Sequence, residues 1–243
     1  MARFRVFSDV HTEFHRDGGA SFVESLPEVP CDAVILAGDT GDSHTFLQFL
    51  ISMCARFREV PVLFVAGNHE HYGSSIPQVR SIVASAGKNQ ALRNLVHLDN
   101  TVLEVAGTRV AGATLWFPDD PENRHYRHMI GDFHAVRDLE ATVYEENRKT
   151  RHFLATASAN LIVTHHLPCL AATAPKWRSS NLNRFFIGGD DDLVAATGAT
   201  AWVFGHTHET TDMMHLGVRM VANPFGYPSE PKSRFRDNFI VTV

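Results

Sequence analysis

The sequence predicts an α/β fold on three observations. Short apolar runs that look like buried strands alternate with segments of helical periodicity, and residues 33–37, 44–58 and 61–66 read as one βαβ unit. Five of the apolar runs end directly in Asp, Asn or His side chains. In α/β sheets, ligands bind beyond the carboxyl ends of the strands, so we expect a functional site where these five ends meet.

The first part of the chain is typical of parallel sheet with covering helices. Its predicted elements are strand 3–8, an irregular Gly- and Pro-rich segment 17–30, strand 33–37, helix 44–58, strand 61–66 and helix 77–86. Asp42 or Ser43 is the expected N-cap of the first helix. Gly87 ends the second helix.

The later part mixes antiparallel and parallel patterns. Its predicted elements are a hairpin of 101–105 and 109–113, a loop at 115–126, helix 132–157, strand 160–164, an irregular stretch 168–189, a short helix capped by 190–192, strand 201–204, a hairpin of 213–216 and 218–221, and strand 238–242. We find no internal repeat and no linker, so we predict one domain.

Composition narrows the class of protein. A chain of 243 residues with 44% hydrophobic content can bury a large core, and a net charge of -5 argues against a broad basic surface for nucleic acid. The three cysteines have no paired short spacing, which indicates free thiols in a reducing compartment. No signal stretch is seen and no apolar run approaches the ~20 residues of a membrane span. We therefore expect a cytoplasmic protein.

Histidine usage points to a metal site. The chain has 15 histidines, and six of them follow the predicted strands: His11, His69, His165, His166, His206 and His208. Imidazole is the commonest metal ligand in proteins. Mixed nitrogen and oxygen ligands suit manganese, iron or zinc, and the lack of cysteine among them disfavours a closed structural zinc site.

The five strand-end blocks together resemble the calcineurin-like metallophosphoesterase superfamily. The blocks are DVH (9–11), GDTGD (38–42), GNHE (67–70), THH (164–166) and GHTH (205–208), and NPFGY (223–227) is similar to a later segment of bacterial members. The resemblance implies a four-layer αββα sandwich of two mixed β-sheets flanked by helices, with a dimetal site at the carboxyl ends of the strands. We predict a single metallophosphoesterase domain over 1–243, with a cap-like insertion around 115–157.

The resemblance assigns the ligands of two divalent ions, expected to be manganese, iron or zinc. The first ion takes Asp9, His11, Asp39 and His208. The second takes Asp39, Asn68, His165 and His206, so that Asp39 bridges the two ions. His165 and His166 compete for one position. We favour His165 because it directly follows the apolar run.

The remaining polar side chains of the blocks have two readings each. His69 is the expected catalytic group, facing the leaving-group oxygen, and its alternative is a core histidine. Asp42 and Glu70 are expected to orient a ligand or a catalytic imidazole, and their alternative is helix capping. Asp42 is therefore the second catalytic candidate.

The implied activity is hydrolysis of a small phosphomonoester or phosphodiester by a metal-bound hydroxide. A cyclic-nucleotide phosphodiesterase is the narrower alternative, and a catalytically inactive scaffold is the non-enzyme alternative. Neither duplex nucleic acid nor a membrane is an expected partner, and the oligomeric state is not predicted. The expected substrate contacts are Asn68, His69, His166, His125 and Arg178. His125 and Arg178 lie in loops 115–132 and 168–189, where ordinary loop packing is the alternative.

Overall fold

The computed structural model describes residues 1–230 and 235–243. The strands are β1 (Arg3–Phe7), β2 (Ala33–Ala37), β3 (Val62–Val65), β4 (Leu95–His97), β5 (Thr101–Val105), β6 (Thr108–Ala113), β7 (Leu161–Thr164), β8 (Ala201–Val203), β9 (Thr211–His215), β10 (Val218–Ala222) and β11 (Ile240–Thr242). The α-helices are α1 (Ala20–Ser25), α2 (Phe46–Arg56), α3 (Ile76–Ala86), α4 (Asn123–Tyr126), α5 (Asp132–Ala135), α6 (Leu139–Thr156) and α7 (Asp191–Thr197). Short 3₁₀ turns occupy several of the connections.

The strands form two mixed sheets, as predicted. The first sheet has the order β11-β1-β2-β3-β4, with β1 to β4 parallel and β11 antiparallel to β1. The second has the order β5-β6-β7-β8-β10-β9, with a parallel centre and an antiparallel strand at each edge. The parallel strands of each sheet therefore share one carboxyl edge.

Side chains of each strand point alternately to the two faces of its sheet, and both faces are packed, which gives four layers. On β2, Val34 and Leu36 pack with α1, α2 and α3, whereas Ile35 faces the second sheet. On the far side of the second sheet, Trp202 lies in one cluster with Leu154 of α6 and Val194 of α7. Both faces of both sheets are covered, which explains why the strands read as continuous apolar runs. The predicted αββα sandwich is confirmed.

Four local features of the structure differ from the predictions. Segment 17–30 contains the short helix α1, and the short strand β4 was not predicted. Helix 132–157 is interrupted between α5 and α6, where Asp138 has φ 57°, a backbone conformation that cannot continue a helix. The N-cap of α2 is Thr45, although the Asp42 carboxylate accepts hydrogen bonds in the preceding turn.

Residues 115–157 form the connection between β6 and β7. They contribute Trp116, Phe117, Val136 and Leu139 to a separate apolar cluster beside the site edge. A cap over the site would pack in this way. The cap-like insertion and the single-domain boundary stay predictions. Within residues 1–230 and 235–243, no helix has the length and the apolar character needed to cross a bilayer.

Candidate metal centre

The predicted ligands converge at the carboxyl edges of both sheets. Asp9 and Asp39 follow β1 and β2, while His165 follows β7. The ligand atoms form three overlapping groups, each with its members within 4.8 Å of one another: Asp9, His11 and His208; His11, Asp39 and His69; and Asp39, His165 and His206. Because Asp39 occurs in two of the groups, its carboxylate lies between the two halves of the cluster.

Distances around Asp39 fit a bridging carboxylate. Its Oδ2 is 3.8 Å from His11 Nε2 on one side and 3.3 Å from His165 Nε2 on the other. His11 Nε2 lies 2.9 Å from His208 Nε2, and His165 Nε2 lies 3.1 Å from His206 Nδ1. Each half therefore points two imidazole nitrogens at one place, with a shared carboxylate oxygen between the halves.

Two further oxygens complete the donor set. The Asn68 Oδ1 oxygen lies 3.0 Å from His165 Nε2, in the half that the sequence assigned to it. Asp9 Oδ1 is 3.6 Å from His208 Nε2, and the other carboxylate oxygen, Oδ2, is buried without a hydrogen-bond partner among the described residues. A buried carboxylate oxygen without a donor is costly. A pair of divalent cations fits this donor set.

The backbone at the site is held in an unusual conformation. Five of the seven predicted ligands have positive φ, between 50° and 67°: Asp9, His11, Asp39, His206 and His208. Non-glycine residues in this region cost about 1–3 kcal/mol each and cluster at functional sites. Each of these residues lies at a sharp turn of the backbone near the end of a strand, and the strained conformation directs its side chain into the cluster.

Two glycines of the motifs are required by close approach. A Cβ on Gly38 would lie 2.2 Å from His165 Nδ1, and a Cβ on Gly67 would lie 2.2 Å from Asp39 Oδ1. Neither separation is physically accessible, so any side chain would displace a ligand. The first glycine of GDTGD and the glycine of GNHE are thus explained by the packing of the predicted ligands themselves.

Hydrogen bonds to the outer ring nitrogens orient three of the imidazoles. Nδ1 of His165 lies 2.9 Å from the Ala37 carbonyl, and Nδ1 of His208 lies 2.8 Å from the Glu230 carboxylate. Nδ1 of His11 lies 3.1 Å from the Glu13 carboxylate. A proton on Nδ1 leaves Nε2 free as the ligating nitrogen. Glu13 and Glu230 lay outside the recognised motifs and were missed.

The pKa shifts of Asp39 and its neighbours favour positive charge beside this carboxylate. Burial disfavours ionisation of Asp39, but His165 and His69 outweigh it and hold the pKa of Asp39 well below its usual range. Burial also disfavours the protonated form of His165, yet Asp39 raises the pKa of His165 to about 9. Protons on imidazole therefore balance the carboxylates, as cations would.

Glu70 holds the loops and contacts no ring in this network. Its carboxylate accepts hydrogen bonds from the backbone amides of Asp39, Thr40 and Gly67, at 3.1, 2.7 and 2.7 Å. The β2 and β3 loops are thereby fixed to each other. Burial, followed by the nearby Asp39, raises the pKa of Glu70 to about 7. Glu70 orients ligands by fixing their backbone, which the sequence did not specify.

Asn68 is oriented by a residue of the 115–157 connection. Its amide nitrogen donates to Asp132 Oδ1 at 2.8 Å, which turns the amide oxygen towards His165. The Tyr72 hydroxyl donates to the same carboxylate oxygen at 2.6 Å. Asp132 is buried and begins α5, where the sequence predicted only the start of a helix.

We expect Asp132→Ala to weaken metal binding about 10–100-fold, the usual effect of removing a group that orients a ligand. The amide of Asn68 would lose its acceptor and could rotate away from the site. Calorimetric titration of metal-free protein measures the effect. Asp132→Asn keeps an acceptor oxygen and is the matched control. Equal affinity of Asp132→Ala and wild type would contradict the orienting role.

His69 lies beside the cluster, held by a carboxylate. Its Nδ1 is 2.7 Å from Glu13 Oε1, and its Nε2 is 3.3 Å from the Tyr227 hydroxyl. Burial opposes protonation, but Asp39 and Glu13 outweigh it and raise the pKa of His69 to about 9. The NPFGY segment reaches this place because Phe225 and Gly226 donate backbone hydrogen bonds to Ser8 and Asp9.

The other predicted site residues have different surroundings. His166 is buried against Trp116 and His206, and its Nδ1 lies 3.3 Å from the Thr114 carbonyl. Asp42 accepts hydrogen bonds from the amides of His44 and Thr45 in the turn before α2, and its catalytic role stays a prediction.

The two loop residues have contacts typical of loop packing. His125 is exposed and accepts from the neighbouring Arg124 at 3.3 Å. Arg178 donates to the carbonyls of Thr173 and Ala171 within its own loop. Their substrate contacts stay predictions.

Comparison with known proteins assigns the family. The model of the calcineurin-like phosphoesterase family matches residues 2–210, which is most of the chain. This chain belongs to the calcineurin-like phosphoesterase family. A curated relative, uncharacterized protein L509 of Acanthamoeba polyphaga mimivirus, is 26% identical over 98% of this chain and 94% of its own length.

Solved structures share the fold of this family member at low identity. Phosphopantetheinyl hydrolase from Mycobacterium tuberculosis has a TM-score of 0.70 and 19% identity, covering 93% of this chain and 89% of its own. TT1561 of Thermus thermophilus has a TM-score of 0.56 and 15% identity, covering 92% and 89%. A dimetal phosphatase from Danio rerio has a TM-score of 0.51 and 14% identity, covering 95% and 89%.

Metal addition is expected to stabilise the metal-free protein. An ion at 100 times its Kd contributes about 2.7 kcal/mol per site, which raises the Tm of a chain of this size by about 5–10 °C. Thermal denaturation in EDTA and after Mn²⁺ or Zn²⁺ addition tests this. Mg²⁺ with the same anion controls for ionic strength. An unchanged Tm with all three ions would contradict the proposed centre.

Proposed function

We propose that this protein is a metal-dependent phosphoesterase that hydrolyses a small phosphomonoester or phosphodiester. The observation that carries the proposal is the position of Asp39 Oδ2 between His11 Nε2 and His165 Nε2, at 3.8 and 3.3 Å. One carboxylate oxygen between two sets of nitrogen ligands is the arrangement that two adjacent divalent ions require. When bound, such ions lower the pKa of a coordinated water and hold the oxygens of the phosphoryl group.

The residues of the chain have separate tasks. Asp9, His11, Asp39 and His208 would hold one ion, and Asp39, Asn68, His165 and His206 the other. Two ions bring four positive charges, and the two aspartates return two negative charges. The remaining positive charge attracts a phosphoester anion despite the net charge of the chain, -5.

His69 supplies the proton in this proposal. Glu13 accepts from Nδ1 and so orients the ring, which leaves Nε2 to donate a proton or a hydrogen bond to the leaving-group oxygen. The Tyr227 hydroxyl next to Nε2 marks the place where that oxygen would lie. Substrate would then displace or share the Tyr227 contact.

A cyclic nucleotide is a second candidate substrate because aromatic rings flank the centre. Phe14 is 53% exposed and packs edge-on against Tyr227, with ring centroids 5.4 Å apart, and Tyr227 lies 4.4 Å from the His11 ring. A planar base could stack on the open face of Phe14.

We also infer a cytoplasmic location. Cys54 and Cys169 are buried free thiols, which supports a reducing compartment.

The test is an activity screen of metal-reconstituted protein. The panel contains an aryl phosphomonoester, an aryl phosphodiester, 2′,3′- and 3′,5′-cyclic nucleotides and a phosphopantetheinyl compound, the last because one solved neighbour bears that name. Asp39→Asn prepared in parallel excludes a contaminating hydrolase. Hydrolysis that requires metal and is lost in the variant supports the proposal. Full metal occupancy without turnover of any panel member would favour the scaffold alternative.

A further inference from the structure

A second cluster of metal-ligating side chains lies outside the proposed active centre. The ligand atoms of Cys169, Asp191 and His215 lie within 4.8 Å of one another. Cys169 follows β7, Asp191 begins α7, and His215 ends β9. Three different donor atoms from three segments therefore meet at one place.

The separations are close to those of a tetrahedral zinc site. Zinc bonds of about 2.0–2.3 Å place neighbouring ligand atoms about 3.3–3.7 Å apart. His215 Nε2 and Asp191 Oδ1 are 2.8 Å apart, as a hydrogen-bonded pair. A zinc ion would open that pair by under about 1 Å, and the Cys169 sulfur already lies within 4.8 Å of both atoms. Asp191 is exposed and His215 is only partly buried, which leaves both side chains room to rotate.

Alternative roles for Cys169 fit less well. Cys169 is buried, and a structural cysteine without access to solvent is inert as a nucleophile. Both other cysteines, Cys31 and Cys54, are free as well, so the structure shows no disulfide role. A buried sulfur, an imidazole and a carboxylate form a donor set that suits zinc.

We propose that Cys169, Asp191 and His215 bind one zinc ion, which closes the base of the loop formed by residues 170–190. Binding releases the Cys169 thiol proton to solvent, and the thiolate, the neutral imidazole and the carboxylate then ligate the ion. Because Cys169 precedes the loop and Asp191 follows it, the ion joins the two ends of the loop. His215 attaches that junction to the edge strand β9.

The fourth coordination position would face an adjoining cleft of about 750 Å³. Asp190, Asp192 and Arg178 line this cleft. Asp190 is already engaged by Arg151 and by the Leu193 amide, so it is not available as a fourth ligand. A water molecule is therefore the expected fourth ligand, and the cleft gives it access to solvent.

Cobalt titration separates this site from the active centre, because only this donor set contains sulfur. Reduced metal-free protein is titrated with Co²⁺, and the sulfur-to-cobalt charge-transfer absorption in the near ultraviolet is followed. We expect one equivalent of thiolate-bound cobalt in wild type, none in Cys169→Ser, and an unchanged signal in the matched control Cys31→Ser. His215→Gln should weaken the thiolate-bound cobalt at least about tenfold, the lower bound for groups that merely support a ligand.

If Cys169→Ser does not fold, His215→Gln still tests the proposal, because His215 is only partly buried and its replacement disturbs the core less. Zinc-reconstituted wild type should contain one more equivalent of zinc than His215→Gln, while both keep the same phosphoesterase activity per active centre. No thiolate signal in wild type, or a signal that survives in Cys169→Ser, would overturn the proposal. Equal cobalt affinity of wild type and His215→Gln would overturn it as well.

Discussion

Asp39→Asn is expected to reduce bound metal from two ions to one or none and to lower kcat by more than about 10³-fold. The charged oxygen Oδ2 lies 3.8 Å from His11 Nε2 and 3.3 Å from His165 Nε2. Replacing it with an amide nitrogen removes an anionic ligand from both positions. The loss of several kcal/mol of metal-derived stabilisation corresponds to a rate loss of that size.

The substitution preserves the neighbouring structure, which makes the result interpretable. Asp39 Oδ1 accepts from the His69 amide at 2.9 Å, and an asparagine oxygen can still do so. Asp42→Asn is the matched control for metal content, because it makes the same change in the same loop and keeps an oxygen for the His44 and Thr45 amides. Elemental analysis and initial rates measure both variants. Two fully occupied positions in Asp39→Asn would refute the bridging role.

His69→Ala is expected to keep both ions and to lower kcat by about 10²–10⁴-fold, the range for loss of a general acid or base. A ring nitrogen of His69 also lies within 4.8 Å of ligand atoms of His11 and Asp39. The same side chain could therefore be a ligand. Metal content distinguishes the roles, since a ligand variant would lose an ion along with its activity.

Two further variants complete the His69 experiment. Glu13→Gln removes the carboxylate that holds Nδ1 at 2.7 Å, and we expect a smaller decrease in kcat because the imidazole remains. His44→Ala changes an exposed histidine and should match wild type. Loss of an ion in His69→Ala would reassign it as a ligand. A kcat equal to that of wild type would exclude it from the chemistry.

The sequence predicted the parts of this fold that its local patterns encode. The buried strands carry continuous apolar runs, and the predicted range 33–37 coincides with β2. The hairpin of β5 and β6 and the capping role of Asp190 were also predicted. By contrast, β4 has three half-buried residues and no distinct run. The break before α6 depends on the conformation of Asp138, which periodicity does not reveal.

Supporting residues of the centre could not be found in the same way. Glu13 reaches His69 across 56 residues, and Asp132 reaches Asn68 across 64. Such contacts depend on how the loops pack, and a single acidic residue in a loop gives no signal of its own. The motif resemblance supplied the predicted ligands because each belongs to a block at the end of a strand. The groups that orient them lie outside those blocks.

The ligands of each proposed ion are widely separated in the chain. Asp9 and His208, assigned to the same ion, come from opposite ends of the family match, 2–210. Bringing such remote residues together costs chain entropy that only the packed sheets offset. A nascent polypeptide on the ribosome that has not reached His208 therefore lacks a complete coordination sphere. Cofactor loading should be a late event in biosynthesis, after the C-terminal strands have emerged.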